Sequence, residues 1–288
     1  MKVSLAEGSG FCFGVERAIK MAYKYADDKK GKKLYSFHEI IHNPQEALRL
    51  ERAGAKHVDA ISAVAKGSSV IVSTHGITQK EEELLKAKCS DVLDTTCPYV
   101  KKIHQIVKKL TAENYQVIIV GDAEHLEVKG ILGHTEGNGI VVSSVEDVGK
   151  LKLKEKAGIV SQTTQSNAAY SAIICAIQDK AFLNRYAEVR TFNTICDATK
   201  NRQKATMDLA AKSDIMVIVG GKNSANTRRL YEISKGILKD VYHVEDAKEL
   251  KAAWFKGKKN AGISAGASTP AGVINEVVMK IRKIGDDK

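Results

Sequence analysis

Twelve short apolar runs, kept apart almost everywhere by helix-like stretches, limit what this chain can become more than any other feature. They fall at 2–6, 33–37, 55–58, 69–73, 91–95, 116–120, 139–142, 157–161, 188–193, 215–219, 240–243 and 260–264. Between them, periodicity and turn signals predict helices over 14–25, 44–53, 79–87, 98–113, 165–180, 198–212, 225–238 and 269–284. Short strands alternating with helices argue for βαβ units and for parallel sheets covered on both faces.

The runs sort into three sets of four. One set starts at 33, 55, 69 and 91, the next at 116, 139, 157 and 188, and the last at 215, 240 and 260 before returning to residue 2. The fourth run of each set leads into a cysteine: Cys97, Cys196 and, from the N-terminus, Cys12. The expected fold class is therefore α/β. Three similar small modules, each a four-stranded mainly parallel sheet with flanking helices, are expected in a pseudo-threefold arrangement around a central cavity. The modules are 14–97, 98–196, and 197–288 together with 1–13.

In open parallel sheets, ligands bind outside the carboxyl ends of the strands. The three cysteines, 85 (97 − 12) and 99 (196 − 97) residues apart, occupy such ends and are expected to converge on one cofactor. Three thiolates with no fourth protein ligand can hold a [4Fe-4S] cluster and leave one iron open to substrate. A structural zinc site would show close-set cysteine pairs, which are absent. Cys89 and Cys175, in helix-like contexts, are read as structural.

Polar loops follow the other strands. They run from Phe37 to Asn43, Gly121 to Glu127, Gly220 to Asn226, Ser73 to Gly76, Ser161 to Thr164 and Ser264 to Thr269. Three of the eight histidines, His42, His75 and His125, sit in them, where imidazoles can hydrogen-bond a diphosphate or relay protons. His38 is expected to share the first loop without facing the cavity, and His57, His104, His134 and His243 are assigned surface or local packing roles. Glu127, two residues from His125, is placed for general-acid work. Thr163, Thr164, Ser224, Asn226 and Ser268, at helix starts, suit phosphate binding.

The formal charge is +11, but the lysines are scattered without the interleaved aromatics of a base-stacking platform, so no nucleic-acid partner is expected. No apolar run approaches the roughly 20 residues of a membrane span, and the N-terminus has no apolar signal region. A cytoplasmic location and no membrane partner are the expectation.

Together these residues resemble the 4-hydroxy-3-methylbut-2-enyl diphosphate reductase family, LytB-type iron-sulfur enzymes at the last step of the non-mevalonate isoprenoid pathway. The resemblance is carried by Gly10-Phe11-Cys12-Phe13-Gly14-Val15, Ile41-His42-Asn43-Pro44, Thr74-His75-Gly76, Thr96-Cys97-Pro98, His125-Leu126-Glu127-Val128-Lys129-Gly130, Ser161-Gln162-Thr163-Thr164, Thr194-Ile195-Cys196-Asp197-Ala198-Thr199 and Gly266-Ala267-Ser268-Thr269-Pro270. It implies a [4Fe-4S] cluster on Cys12, Cys97 and Cys196 whose open iron takes an allylic hydroxyl. It implies that His42, His75, His125, Ser224, Asn226 and Ser268 hold the diphosphate, and that Glu127, aided by Thr163 or Thr164, supplies protons. A ferredoxin or flavodoxin would deliver two electrons. The sequence departs from the family at Ala225, where a second serine is usual, at Leu126, where proline is usual, and at Phe13, where a small residue is common. A non-redox iron-sulfur hydro-lyase is the alternative reading.

Overall fold

A computed structural model of the chain describes residues 1–183 and 187–286. Residues 184–186 of the expected second module and 287–288 of the third lie outside the described residues. All twelve expected strands form, in three sheets of four with every pairing parallel. Strand β1 (Lys2–Leu5) opens the chain. The first contiguous set is β2 (Leu34–Phe37), β3 (Ala55–Val58), β4 (Ser69–Val72) and β5 (Asp91–Asp94), in the spatial order β3-β2-β4-β5. The second is β6 (Gln116–Val120), β7 (Gly139–Val142), β8 (Lys156–Ser161) and β9 (Glu188–Thr191), in the order β7-β6-β8-β9. In the third, β10 (Ile215–Val219), β11 (Val241–Val244) and β12 (Asn260–Ala265) are completed by β1, in the order β11-β10-β12-β1. Counting β1 as fourth, the three sheets share one topology.

The helices are α1 (Phe13–Asp28), α2 (Pro44–Arg52), α3 (Gln79–Lys88), α4 (Pro98–Ala112), α5 (Leu126–Leu132), α6 (Val145–Lys150), α7 (Asn167–Phe182), α8 (Asp197–Ala210), α9 (Ala225–Lys235) and α10 (Ala271–Asp286). Eight match the sequence expectation. The short α5 and α6 do not appear in it, because six or seven residues hold too little periodicity to read. A capping box closed by Ser144 and Asp147 starts α6 and was the available signal.

Each central strand is buried on both faces, as a parallel sheet requires. Along β6, Ile118 and Val120 pack with Tyr170, Ile173 and Ile177 of α7. The alternate residues Val117 and Ile119 pack with Ile103, Val107 and Leu110 of α4. Along β10, Ile215, Val217 and Val219 meet Val277 and Ile281 of α10, while Met216 and Ile218 meet Leu230 of α9.

The chain divides into two compact units. One comprises Met1–Glu16, His42–Gln45 and Asp197–Lys288 and contains the sheet completed by β1; the other comprises Arg17–Ile41 and Glu46–Cys196 and contains the other two sheets. Among the described residues, no helix is long and apolar enough to cross a membrane.

Candidate active site

A helix begins on the residue directly after each of the three cysteines: α1 after Cys12, α4 after Cys97 and α8 after Cys196. Each cysteine also spends its backbone N–H in the same way. Cys12 donates to the Ala267 carbonyl at 3.3 Å, Cys97 to Thr74 at 3.0 Å and Cys196 to Thr163 at 3.1 Å. In every sheet the acceptor lies two residues beyond the end of the third strand, so one backbone device recurs three times. Counted this way, Ser73, Ser161 and Ser264 are not equivalent: they lie one after, at, and one before their strand ends. The equivalent residues are instead His75, Thr164 and Ser268, three past each end. In the loops after the first strands, His42, His125 and Ser224 all stand five past the end.

In the unit built on β10, His42, Asn43, Ser224, Asn226 and Ser268 come from three short segments. Asn43 Nδ2 donates to the Ser268 carbonyl at 2.9 Å, and Ser268 Oγ donates to the His42 carbonyl at 3.1 Å. Ser224 caps α9, its hydroxyl accepting from Thr227 N–H at 3.4 Å. Asn226 is 4% exposed, and its amide nitrogen and oxygen are both buried with no hydrogen-bond partner. An orphaned amide of this kind costs about 1–3 kcal/mol unless a ligand satisfies it. Arg202, buried on α8, donates from Nε to the Gly8 carbonyl at 2.8 Å and from Nη2 to Gly10 at 2.7 Å, which fixes the loop that leads into Cys12.

In the other unit, Glu127 is 3% exposed and both its oxygens are held by one residue. Thr163 N–H donates to Oε1 at 2.6 Å and Thr163 Oγ1 donates to Oε2 at 2.8 Å. The sequence left Thr163 and Thr164 as alternatives; Thr163 is the one whose hydroxyl meets this carboxylate. His125 is the N-cap of α5, its Nδ1 accepting from Glu127 N–H at 3.1 Å. An accepting Nδ1 is unprotonated, so the ring is neutral with its proton on Nε2. The His75 ring stands edge-on to it, with centroids 5.5 Å apart and planes at 85°. Cys97 and Cys196 reach this set through the backbone, bonding Thr74 beside His75 and Thr163 itself.

The histidines and cysteines that the sequence reading set aside have local partners or surroundings of their own. His38 bonds Asp59 at 3.1 Å, and His243 bonds the Gly220 carbonyl at 2.8 Å. Cys89 ends α3 and packs partly buried against a core cluster, whereas Cys175 is exposed on α7 and is not the packing residue expected. The departures Phe13, Leu126 and Ala225 all occupy the first residue of a helix, a position that proline or serine fills without being required there. Sequence reasoning missed Asn43, although it lies inside a quoted motif. It also missed Arg202, because a basic residue within a helix reads as a solvated face.

None of the five cysteines is in a disulfide, and Cys12, Cys97 and Cys196 are half-buried. Cys12 belongs to one compact unit and the other two to its neighbour in the chain, so neither unit holds the full set. Within neither unit do three or more His, Cys, Asp or Glu among the described residues form a group able to hold a metal ion.

A sequence profile of the LytB protein family matches residues 3–282. The 4-hydroxy-3-methylbut-2-enyl diphosphate reductase of Aquifex aeolicus is 45% identical over 285 residues, covering 98% of this chain and 96% of the relative. The enzyme of that name from Geotalea uraniireducens is 43% identical over 288 residues, covering 100% of this chain and 99% of its own. Among solved structures, one of (E)-4-hydroxy-3-methyl-but-2-enyl diphosphate reductase, described as the terminal enzyme of the non-mevalonate pathway, matches with TM-score 0.69 and 44% identity over 98% of this chain and 100% of that one. The E-1-hydroxy-2-methyl-but-2-enyl-4-diphosphate reductase of Plasmodium falciparum matches with TM-score 0.89 and 29% identity over 98% of this chain and 87% of that one.

Proposed function

Because this chain belongs to the LytB family, we propose that it reduces 4-hydroxy-3-methylbut-2-enyl diphosphate to isopentenyl and dimethylallyl diphosphates, the last step of non-mevalonate isoprenoid biosynthesis. Two electrons and two protons enter, the allylic carbon–oxygen bond breaks, and the hydroxyl leaves as water. The observation that carries this reading is the buried Glu127 carboxylate clasped by Thr163 beside two imidazoles, a proton store at a polar, anion-ready site.

His42, Ser224, Asn226 and Ser268 are the proposed diphosphate ligands, with His75 and His125 as further imidazole donors. The unpartnered Asn226 amide supports this assignment, since phosphate oxygens would accept its N–H bonds. Once the Glu127 carboxylate has taken up a proton, the Thr163 hydroxyl, which donates to it in the resting arrangement, can turn to accept that proton and pass its own to the departing oxygen. In this reading Cys12, Cys97 and Cys196 would hold a [4Fe-4S] cluster, which would supply the electrons and Lewis-acid assistance to loss of the hydroxyl. Three half-buried thiols outside any disulfide, each just before a helix, suit such a cluster chemically, because a helix N-terminus favours the negative charge of a thiolate. An acidic ferredoxin or flavodoxin in the cytoplasm is the proposed donor, and the three modules 14–97, 98–196, and 197–288 with 1–13 are the proposed domains.

The test is an anaerobic assay of the allylic diphosphate with a reduced donor, alongside iron and sulfide analysis. Donor oxidation stoichiometric with hydrocarbon diphosphate product is expected. Dehydration without donor consumption would favour the hydro-lyase, and protein that stays iron-free after reconstitution would overturn the cluster.

A further inference from the structure

Two histidines outside the proposed site press on the turn that carries His75. That turn follows β4. Thr74 N–H and Thr74 Oγ1 both donate to the Ile40 carbonyl, at 3.1 and 2.8 Å, and Gly76 takes φ +76°. The His104 ring, from α4, packs directly on it: a Cβ placed on Gly76 would lie 2.7 Å from His104 Cε1 and 3.3 Å from Nε2. His134, just past α5 and 3% exposed, packs against His104 with the rings tilted, centroids 4.2 Å apart and planes at 43°. His134 Nε2 donates to the Ile77 carbonyl at 3.1 Å. The α5 backbone lies against the same turn, since a Cβ on Gly130 would stand 3.5 Å from Gly76 C and Ile77 N.

Helix α5 therefore has two jobs at its two ends. Its N-terminus presents His125 and Glu127; its C-terminal end and the histidine just beyond it grip the backbone that follows His75. Seven residues of helix span roughly 10 Å and act as a rigid spacer between them. We propose that His104 and His134 are positioning residues: they hold the Thr74–Ile77 turn against α5 and so set the spacing of the His75 and His125 imidazoles.

The surroundings suit two neutral rings. They line a cavity of about 460 Å³ with Lys101 and Lys108 of α4, Glu82 and Lys86 of α3, and Asp94 of β5. Burial pushes His104 from 6.5 down to about 3, and the Lys108 charge, like any proton placed on His134, acts the same way; burial and Lys108 also lower His134. His104 Nε2 and His134 Nδ1 are buried without hydrogen-bond partners. Leaving them so is costly, and the return is the shape of the turn. His104 works through its ring body and His134 through its one N–H donor.

This inference rests on the reading of His75 and His125 as diphosphate ligands, and the test separates the two. Crystal structures and calorimetric titration with inorganic pyrophosphate are compared for His104→Ala, His104→Phe, His134→Phe and His134→Gln. The His75–His125 separation of 5.5 Å is expected to widen in His104→Ala and His134→Phe, with affinity falling on the order of tenfold. It is expected to hold in His104→Phe, which keeps the ring, and in His134→Gln, which keeps a donor. An unchanged separation in both His104→Ala and His134→Phe would overturn the proposal, as would equal damage from His104→Phe and His104→Ala. His134→Phe preserves ring volume, so a failure of the alanine variant to fold leaves the test intact. Wild-type protein that binds no pyrophosphate would sink the diphosphate reading, and the crystallographic separation alone would then decide the role of the pair.

Discussion

Glu127 and Thr163 share two hydrogen bonds that a single substitution can take apart. In Glu127→Gln the amide oxygen can still accept from Thr163 N–H while the amide nitrogen donates to Oγ1, so fold and substrate binding are expected to persist. The side chain can no longer carry a proton, and turnover should fall by about a hundredfold or more; unchanged turnover in steady-state assays would remove Glu127 from the mechanism. Thr163→Val keeps the backbone bond but deletes the hydroxyl, and should cost more activity than Thr164→Val. Arg202→Met leaves the Gly8 and Gly10 carbonyls without their buried donor. Roughly 2–4 kcal/mol of stability should be lost, read from urea unfolding. Most side chains of the candidate site were nameable from the sequence because short polar motifs at strand ends are few. Arg202, His104 and His134 were not, because their roles depend on which backbone they lean against, and residue type alone does not carry that information.

Close packing fixes the short helix α5. A Cβ on Gly133 would stand 2.3 Å from Thr78 Cβ, so Gly133→Ala must push the helix off the turn it grips. Gly149, inside α6, has nothing within 4 Å of such a Cβ, and Gly149→Ala should stabilise by about 0.5–1 kcal/mol through helix propensity. Thermal unfolding of both variants checks the contrast. The histidine pair beside α5 also gives the fold an acid limit. Both imidazoles stay neutral in the folded chain at pH values where the unfolded chain protonates them, so the unfolded state binds more protons below about pH 6.5. Stability is fully present above that value. It declines as pH drops toward the folded His104 value of about 3, by about 1.4 kcal/mol per pH unit for each proton taken up. A His104→Phe, His134→Phe double variant should flatten that slope in chemical denaturation measured from pH 7 to 4. The sequence showed long helices and apolar strands because their periodicity accumulates over many residues; α5 and α6 were too short to accumulate any.

At the scale of the whole chain, the grouping of the strands into three sets of four was readable from the sequence, because run spacing and the cysteine after each fourth run agree in all three sets; the shared order of strands within each sheet was not. The balance of +11 makes the proposed acidic electron donor testable: its reduction rate should fall as salt rises, and rates indifferent to ionic strength would argue for another kind of donor. The borrowed strand β1 has a consequence in time. Lys2 pairs with Asn260, 258 residues later (260 − 2), whereas the other two sheets are each made from one uninterrupted stretch. At roughly 5–20 residues per second of synthesis, β1 waits on the order of ten to fifty seconds for its partner. The two contiguous sheets can close while the ribosome is still working. The third must wait for β12, and Cys12, the first of the three cysteines to be made, is the last to gain its backbone partner, the Ala267 carbonyl.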